Sequence, residues 1–95
     1  MGQGVVRLGD ACTGHGCYGS RPNDQASPNV NVNGKGAHRV GDHWESHCCG
    51  PACHDSVADK GSGTVNVNGK PIFRHGDAVA CGSAGDVCSS NVFSG

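Results

Sequence analysis

The sequence has almost none of the residues that usually fill a protein core. It holds a single leucine, Leu8, a single isoleucine, Ile72, and only four aromatic residues, Tyr18, Trp44, Phe73 and Phe93. Valine is the main aliphatic residue. Its 95 residues are expected to form one domain spanning 1–95. A chain of this size buries only about two-thirds of its unfolded surface, even when well stocked with apolar side chains. The 17 glycines raise the entropy cost of folding further. The composition therefore calls for a staple: a metal, disulfides, or docking onto a partner.

Other absences narrow the function classes. The seven Lys and Arg are scattered and the formal charge is −1. No positive face is available for counterion release, so nucleic-acid binding is not expected. The N-terminal stretch MGQGVVRLGDACTG has no apolar run of signal-peptide length, and nothing downstream is long and apolar enough to span a membrane. Synthesis in the cytoplasm, without a signal peptide, is the expectation. In that reducing setting the seven cysteines read as thiols or metal ligands before they read as a disulfide framework. An odd number cannot pair fully within one chain, and later exposure to an oxidising space stays open. There is no HExxH, nucleophile elbow or CxxC pair, and so short a chain cannot wall off a large pocket. No enzymatic activity is expected.

What the sequence does have is a repeat. At an offset of 35 residues, SPNVNVNGKGAHRVGD (27–42) aligns with SGTVNVNGKPIFRHGD (62–77), sharing the hexapeptide VNVNGK, the Arg and the closing Gly-Asp. VVRLGD near the start copies the second half of the unit, and SSNVFSG at the end copies the first half. Joined in space, these two fragments would complete a third unit. Val-Asn-Val-Asn alternates with period two, as a strand buried on one face does. Asn33-Gly34 and Asn68-Gly69 are type I′ hairpin signals. Gly9-Asp10, Gly41-Asp42 and Gly76-Asp77 carry the turn chemistry that ends the second strands.

The expected fold class is small all-β: β-hairpins arranged around a pseudo-threefold axis. Val6, Val30, Val32, Val65 and Val67 are expected on its inner face, and the only helix expected is one short turn within Asp42–Cys48. Asp10, Asp42 and Asp77 are expected to spread about the axis and accept turn hydrogen bonds rather than form a catalytic trio. His38 and His75 are expected at surface or satisfied positions, and His43 capping a turn.

GKGAHRVGD and GKPIFRHGD resemble variants of the proline-alanine-alanine-arginine (PAAR) repeat, here Gly36-Ala37-His38-Arg39 and Pro71-Ile72-Phe73-Arg74. RLGD near the start, Gly14-His15-Gly16, Gly61-Ser62 and Gly76-Asp77 followed by Cys81-Gly82 extend the resemblance from about Val5 to Gly95. It departs from the family pattern at Gly36, where proline is expected, and at His38, Ile72 and Phe73, where small residues are.

The resemblance implies a conical fold with a metal site near its apex. It implies a tip that caps and sharpens the trimeric spike of a type VI secretion system or contractile phage tail, for membrane puncture. One chain would sit on each trimeric spike protein of the valine-glycine-repeat or phage type, meeting the target membrane transiently when the sheath contracts. The chain would be a bare tip without an effector extension, secreted, injected or carried in a virion. A threefold partner also explains the repeat, because one chain matches it only by offering three similar faces.

The family holds one structural zinc through three His and one Cys. Carried over by position, the ligands would be His15, His47, His54 and Cys81. From the residues alone the rival is a zinc knuckle built from Cys48, Cys49, Cys53 and His54. That rival belongs with an alternative function, a stand-alone cysteine-rich metal-binding or redox protein. Cys12 and Cys17 flank His15 and could form a disulfide, a second metal site or neither. Cys88 reads as a small buried residue or a free thiol.

Overall fold

The computed structural model describes residues 2–95 and, among them, contains strands and turns but no helix. Its strands are β1 (Gln3–Gly4), β2 (Asn31–Val32), β3 (Lys35–Gly36), β4 (His43–Cys49), β5 (Ala52–Val57), β6 (Asn66–Val67), β7 (Lys70–Pro71) and β8 (Phe93–Ser94). The two copies of VNVNGK each make a hairpin. β2 pairs antiparallel with β3, and β6 with β7. In the turns Asn33 and Asn68 both adopt φ 55°, and Gly34 and Gly69 adopt φ 79° and 78°. Asparagine and glycine are the residues that tolerate this left-handed pair, which is why the hexapeptide turns where it does.

The third unit is assembled from the two chain ends. β1 pairs antiparallel with β8, Gln3 opposite Ser94 and Gly4 opposite Phe93. The register makes Val6, His38 and Phe73 equivalent positions, and their backbones close a ring. Val6 N–H donates to Phe73 O (3.1 Å), Phe73 N–H to His38 O (2.9 Å), and His38 N–H to Val6 O (3.0 Å). A second ring runs outside it, with Leu8 N–H donating to Gly36 O, Val40 to Pro71 O and His75 to Gly4 O. The three units also share a hydroxyl turn: Ser27, Ser62 and Ser89 each accept the N–H three residues on, from Val30, Val65 and Val92, at 2.9 Å. Ten residues of sequence identity thus become a closed pseudo-threefold body.

Each unit also carries an arginine clamped to the aspartate three residues later. The Arg7–Asp10, Arg39–Asp42 and Arg74–Asp77 pairs lie at 2.8, 2.8 and 2.9 Å. Each aspartate also accepts its arginine's backbone N–H, so the Gly-Asp turns are closed around the axis as the repeat predicts.

Two apolar clusters fill the body. Val5, Val32, Ala37, Val67 and Ile72 pack between the hairpins, while Val6, Cys12, Trp44, Ala58, Phe73 and Val79 form the second cluster. Val6, Val32 and Val67 are buried as expected, but Val30 and Val65 are not; each is 38 % exposed. Their side chains lie at the entry to the hairpins, where the serine turn directs the strand and only the second valine of each pair faces inward. His38 also differs from the surface position one reading gave it. It is fully buried, its ring edge-on to Trp44 and Phe73 at centroid distances of 5.0 and 5.2 Å. Its Nδ1 bonds Gln25 O at 2.7 Å, while Nε2 has no partner among the described residues.

The expected helical turn within Asp42–Cys48 is instead strand. β4 pairs with β5 in the longest hairpin of the chain, turned at Gly50-Pro51 with Gly50 at φ 61°. β4 also bonds outside the ladder, where Glu45 N–H donates to Pro22 O and His43 O accepts from Asp24 N–H, and a register irregularity between Trp44 and His47 lets Trp44 and His47 both point inward.

Candidate metal centre

After its Gly-Asp turn each unit leaves the ring on an excursion, and all three excursions meet. The first, through Gly14 and Gly16 in positive φ, carries His15. The second is the β4–β5 hairpin, where His47 stands directly opposite His54. The third carries Cys81 beside Gly82, which adopts φ 114°. The ligand atoms of His15, His47, His54 and Cys81 lie within 4.8 Å of one another. The four residues named from the sequence are therefore brought to one place.

The imidazoles converge through one kind of atom. His54 Nε2 is 3.1 Å from His15 Nε2 and 2.8 Å from His47 Nε2. His47 Nδ1 donates to Gly19 O at 2.7 Å, which leaves the lone pair on Nε2 facing the centre. Three such nitrogens cannot satisfy one another with protons alone, because His54 Nε2 can either donate one hydrogen bond or accept one, and it faces two neighbours. A tetrahedral zinc with Zn–N of about 2.0–2.1 Å would set neighbouring nitrogens about 3.3 Å apart, close to what is found. The donor set and its geometry fit a metal ion held by four protein ligands.

The sulfur is prepared for that role. Burial pushes the Cys81 thiol up, but hydrogen bonds from Ser83, Arg21 and His54 outweigh it and bring the group down to about 5. Arg21 is itself buried. Its Nη2 lies 3.4 Å from Cys81 Sγ, its Nη1 2.9 Å from Cys12 Sγ and 3.1 Å from the Ser83 hydroxyl, and its Nε donates to Glu45 O at 2.7 Å. The guanidinium also rests over the Trp44 ring, 5.4 Å from its centroid. Tyr18 packs on all three imidazoles, at 4.8, 4.9 and 4.2 Å from His15, His47 and His54. Neither Tyr18 nor Arg21 was identified from the sequence. Tyr18 stands three residues past His15 and was open to discovery, whereas Arg21 carries no local signal.

The zinc-knuckle rival does not form. Cys48 and Cys49 are neighbours on a strand and point to opposite faces. Cys48 pairs with Cys53 across the hairpin and Cys49 with Cys17, both as disulfides. Cys17 thus bonds Cys49 rather than Cys12. Cys12, Cys81 and Cys88 are free thiols, Cys12 being buried. His43 does not simply cap a turn: it sits between two carboxylates, Nδ1 2.6 Å from Asp24 and Nε2 2.8 Å from Asp55. Those hydrogen bonds, Asp55 first, raise its pKa above the ordinary histidine value.

No curated protein matches the chain. The PAAR motif model matches residues 23–84, which takes in both full repeats, three of the four converging residues at His47, His54 and Cys81, and the whole β4–β5 hairpin. His15 and the unit built from the chain ends lie outside that span, yet they complete the same ring and the same cluster. With closed threefold repetition and a convergent His/Cys group around the matched segment, the chain belongs to the PAAR motif family.

Proposed function

We propose that this protein is the tip of a contractile injection apparatus, capping a trimeric β-helical spike with one chain per trimer. PAAR-motif proteins are spike-tip components of such systems. The observation that carries the proposal is the closed ring of backbone hydrogen bonds through Val6, His38 and Phe73, which gives one chain three equivalent faces. A threefold partner is matched by a single chain only in that way.

The contact face would include the valine that the three units expose alike, Val30, Val65 and Val92, at 38, 38 and 36 %. Seated on the spike, this face would cover strand edges that otherwise invite association. A single structural zinc on His15, His47, His54 and Cys81 would tie the three excursions into one rigid point. Four protein ligands leave no open position for a reacting water, so the centre is proposed to act mechanically and not in catalysis. The protein would be made in the cytoplasm, ride the spike outward, and touch the target membrane only as the sheath contracts.

The test is native mass spectrometry of the chain mixed with a trimeric spike protein of the same system. The expected mass is one trimer plus one chain. Three chains per trimer, or no complex with intact trimer, overturns the capping proposal.

A further inference from the structure

Four of the seven cysteines lie around the metal centre without belonging to it, and their placement follows the ligands residue by residue. On the β4–β5 ladder His47 faces His54, Cys48 faces Cys53 and Cys49 faces Ala52. Side chains alternate along a strand, so His47, His54 and Cys49 share one face while Cys48 and Cys53 occupy the other. The Cys48–Cys53 rung therefore clamps the hairpin one step from the His47–His54 rung, with Cα atoms 4.1 Å apart. Cys17, two residues past His15, reaches Cys49 on the ligand face at a Cα separation of 5.4 Å, inside the usual range for a disulfide. Cys17, Cys48 and Cys53 are exposed and Cys49 half-buried, so a soluble oxidant can reach them. The remaining thiols have other placements: Cys12 is buried against Arg21, Cys81 faces the imidazoles, and Cys88 packs on the core cluster.

The two pairs join the same pieces that the imidazoles join. Cys17–Cys49 ties the His15 loop to the hairpin, and Cys48–Cys53 ties the two strands carrying His47 and His54. We propose that these four cysteines are an oxidative modification site, a second lock on the apex that keeps the three imidazoles converged when the metal is absent. The part of this concerning metal retention rests on the metal reading above; the pairing and its effect on the metal-free chain do not.

A low-molecular-weight disulfide is a sufficient oxidant. The Cys17 thiolate attacks one sulfur of oxidised glutathione and releases one glutathione thiolate. The Cys49 thiolate then attacks the mixed disulfide, forming the Cys17–Cys49 bond and releasing the second. Two protein thiols lose two electrons and two protons, and one small disulfide becomes two thiols. Cys48 and Cys53 react in the same way. A chain made in a reducing compartment would carry the four as thiols and gain the bonds on reaching an oxidising one. The Cys17–Cys49 bond closes the longer loop, 32 residues against 5, and so restricts the unfolded chain more.

The experiment starts from full-length protein purified under reductant and then treated with oxidised glutathione. Non-reducing peptide mapping should find Cys17 linked to Cys49 and Cys48 to Cys53, with Cys12, Cys81 and Cys88 still open to alkylation after denaturation. Zinc-loaded protein should then pass its metal to a chromogenic chelator about ten-fold more slowly, or slower still, than the reduced protein, as pre-organisation predicts. A C17S/C49S variant should lose most of that difference. In chelator-treated, metal-free protein, oxidation should raise the melting temperature. Pairing that involves Cys12, Cys81 or Cys88 overturns the proposal, as does faster metal release on oxidation. If the protein takes up no zinc, the metal reading fails alone. The pairing map and the metal-free melting temperature then decide the lock, and an unchanged melting temperature overturns it.

Discussion

Gly36 packs against Ala26 where, one repeat later, Pro71 packs against Gly61. A Cβ built on Gly36 would sit 3.0 Å from Ala26 Cβ and 2.6 Å from Ser27 O, and a Cβ built on Gly61 would sit 3.0 Å from Pro71 Cβ. At the third equivalent contact a Cβ on Gly4 would collide with Cys88 Sγ. One partner of each contact is therefore glycine, at the same position in two units (Gly4 and Gly36) and at the opposite one in the third (Gly61). The missing proline of the first full repeat is a packing exchange, not a lost motif. Restoring it with Gly36→Pro should overpack the contact and destabilise the protein by roughly 1–3 kcal/mol. The double change Ala26→Gly with Gly36→Pro should recover part of that loss. Thermal melts of the three proteins check both outcomes.

Loss of a metal ligand should be felt more sharply than loss of its neighbours. His15→Ala, His47→Ala, His54→Ala and Cys81→Ala should each leave the purified protein without zinc in native mass spectra and lower its melting temperature, as should chelator treatment of the parent. Arg21→Met, which removes the hydrogen bond to Cys81 but no ligand, should retain metal with affinity weaker by about 10–100-fold. Competition with a chelator of known affinity separates the two classes.

The three arginine–aspartate pairs are alike in geometry and unlike in burial. Asp42 is fully buried and Arg39 nearly so, whereas Arg7 and Arg74 are each 14 % exposed. Asp42→Ala leaves a guanidinium without its counter-charge in the interior and should cost about 3–5 kcal/mol. Asp10→Ala and Asp77→Ala leave a cation that water can still reach, and should cost clearly less. Denaturant midpoints of the three variants give the ranking, and equal losses would contradict it.

His38 makes the body sensitive to acid. Burial is the main cause that brings its pKa down to about 4 from an ordinary value of 6.5. Between those values the unfolded chain binds a proton at this residue and the folded chain does not, so stability falls as pH drops through that window. The full effect is about 3 kcal/mol. His38→Phe, which repeats the residue found at the equivalent Phe73, should flatten the slope at the expense of the bond to Gln25 O. Melting curves from pH 7 to 4, recorded on metal-free protein so that acid release of the metal does not contribute, give the comparison.

The repeat carried most of the fold in a form that sequence reasoning can use. The Asn-Gly turns, the three aspartates and the joining of the chain ends all follow from local chemistry copied three times. Valine burial was legible only in part, because period two says that faces alternate but not where a serine turn lets the alternation begin. The helical turn expected before Cys48 failed because His43–Cys49 has no decisive period of its own; the ladder with β5 determines it. The four converging residues came through family resemblance by position. Spacing alone favoured the Cys48, Cys49, Cys53 and His54 cluster, which strand alternation divides between two faces. Arg21 could not be found by either route, since a buried cation that serves a sulfur 60 residues away leaves no mark nearby.

The pairing of β1 with β8 has a consequence for how the chain comes to be folded. The ring through Val6, His38 and Phe73 includes a segment whose partner strand, Phe93–Ser94, lies beyond both full repeats in the sequence. No repeat can bury its valines alone, and two repeats leave the ring open. Acquisition of the native state must therefore wait until β8 has been made and can reach β1, and then proceed through contacts distant in sequence, a slow and concerted route. In the interval its thiols and imidazoles are open to whatever metals and oxidants the surroundings hold.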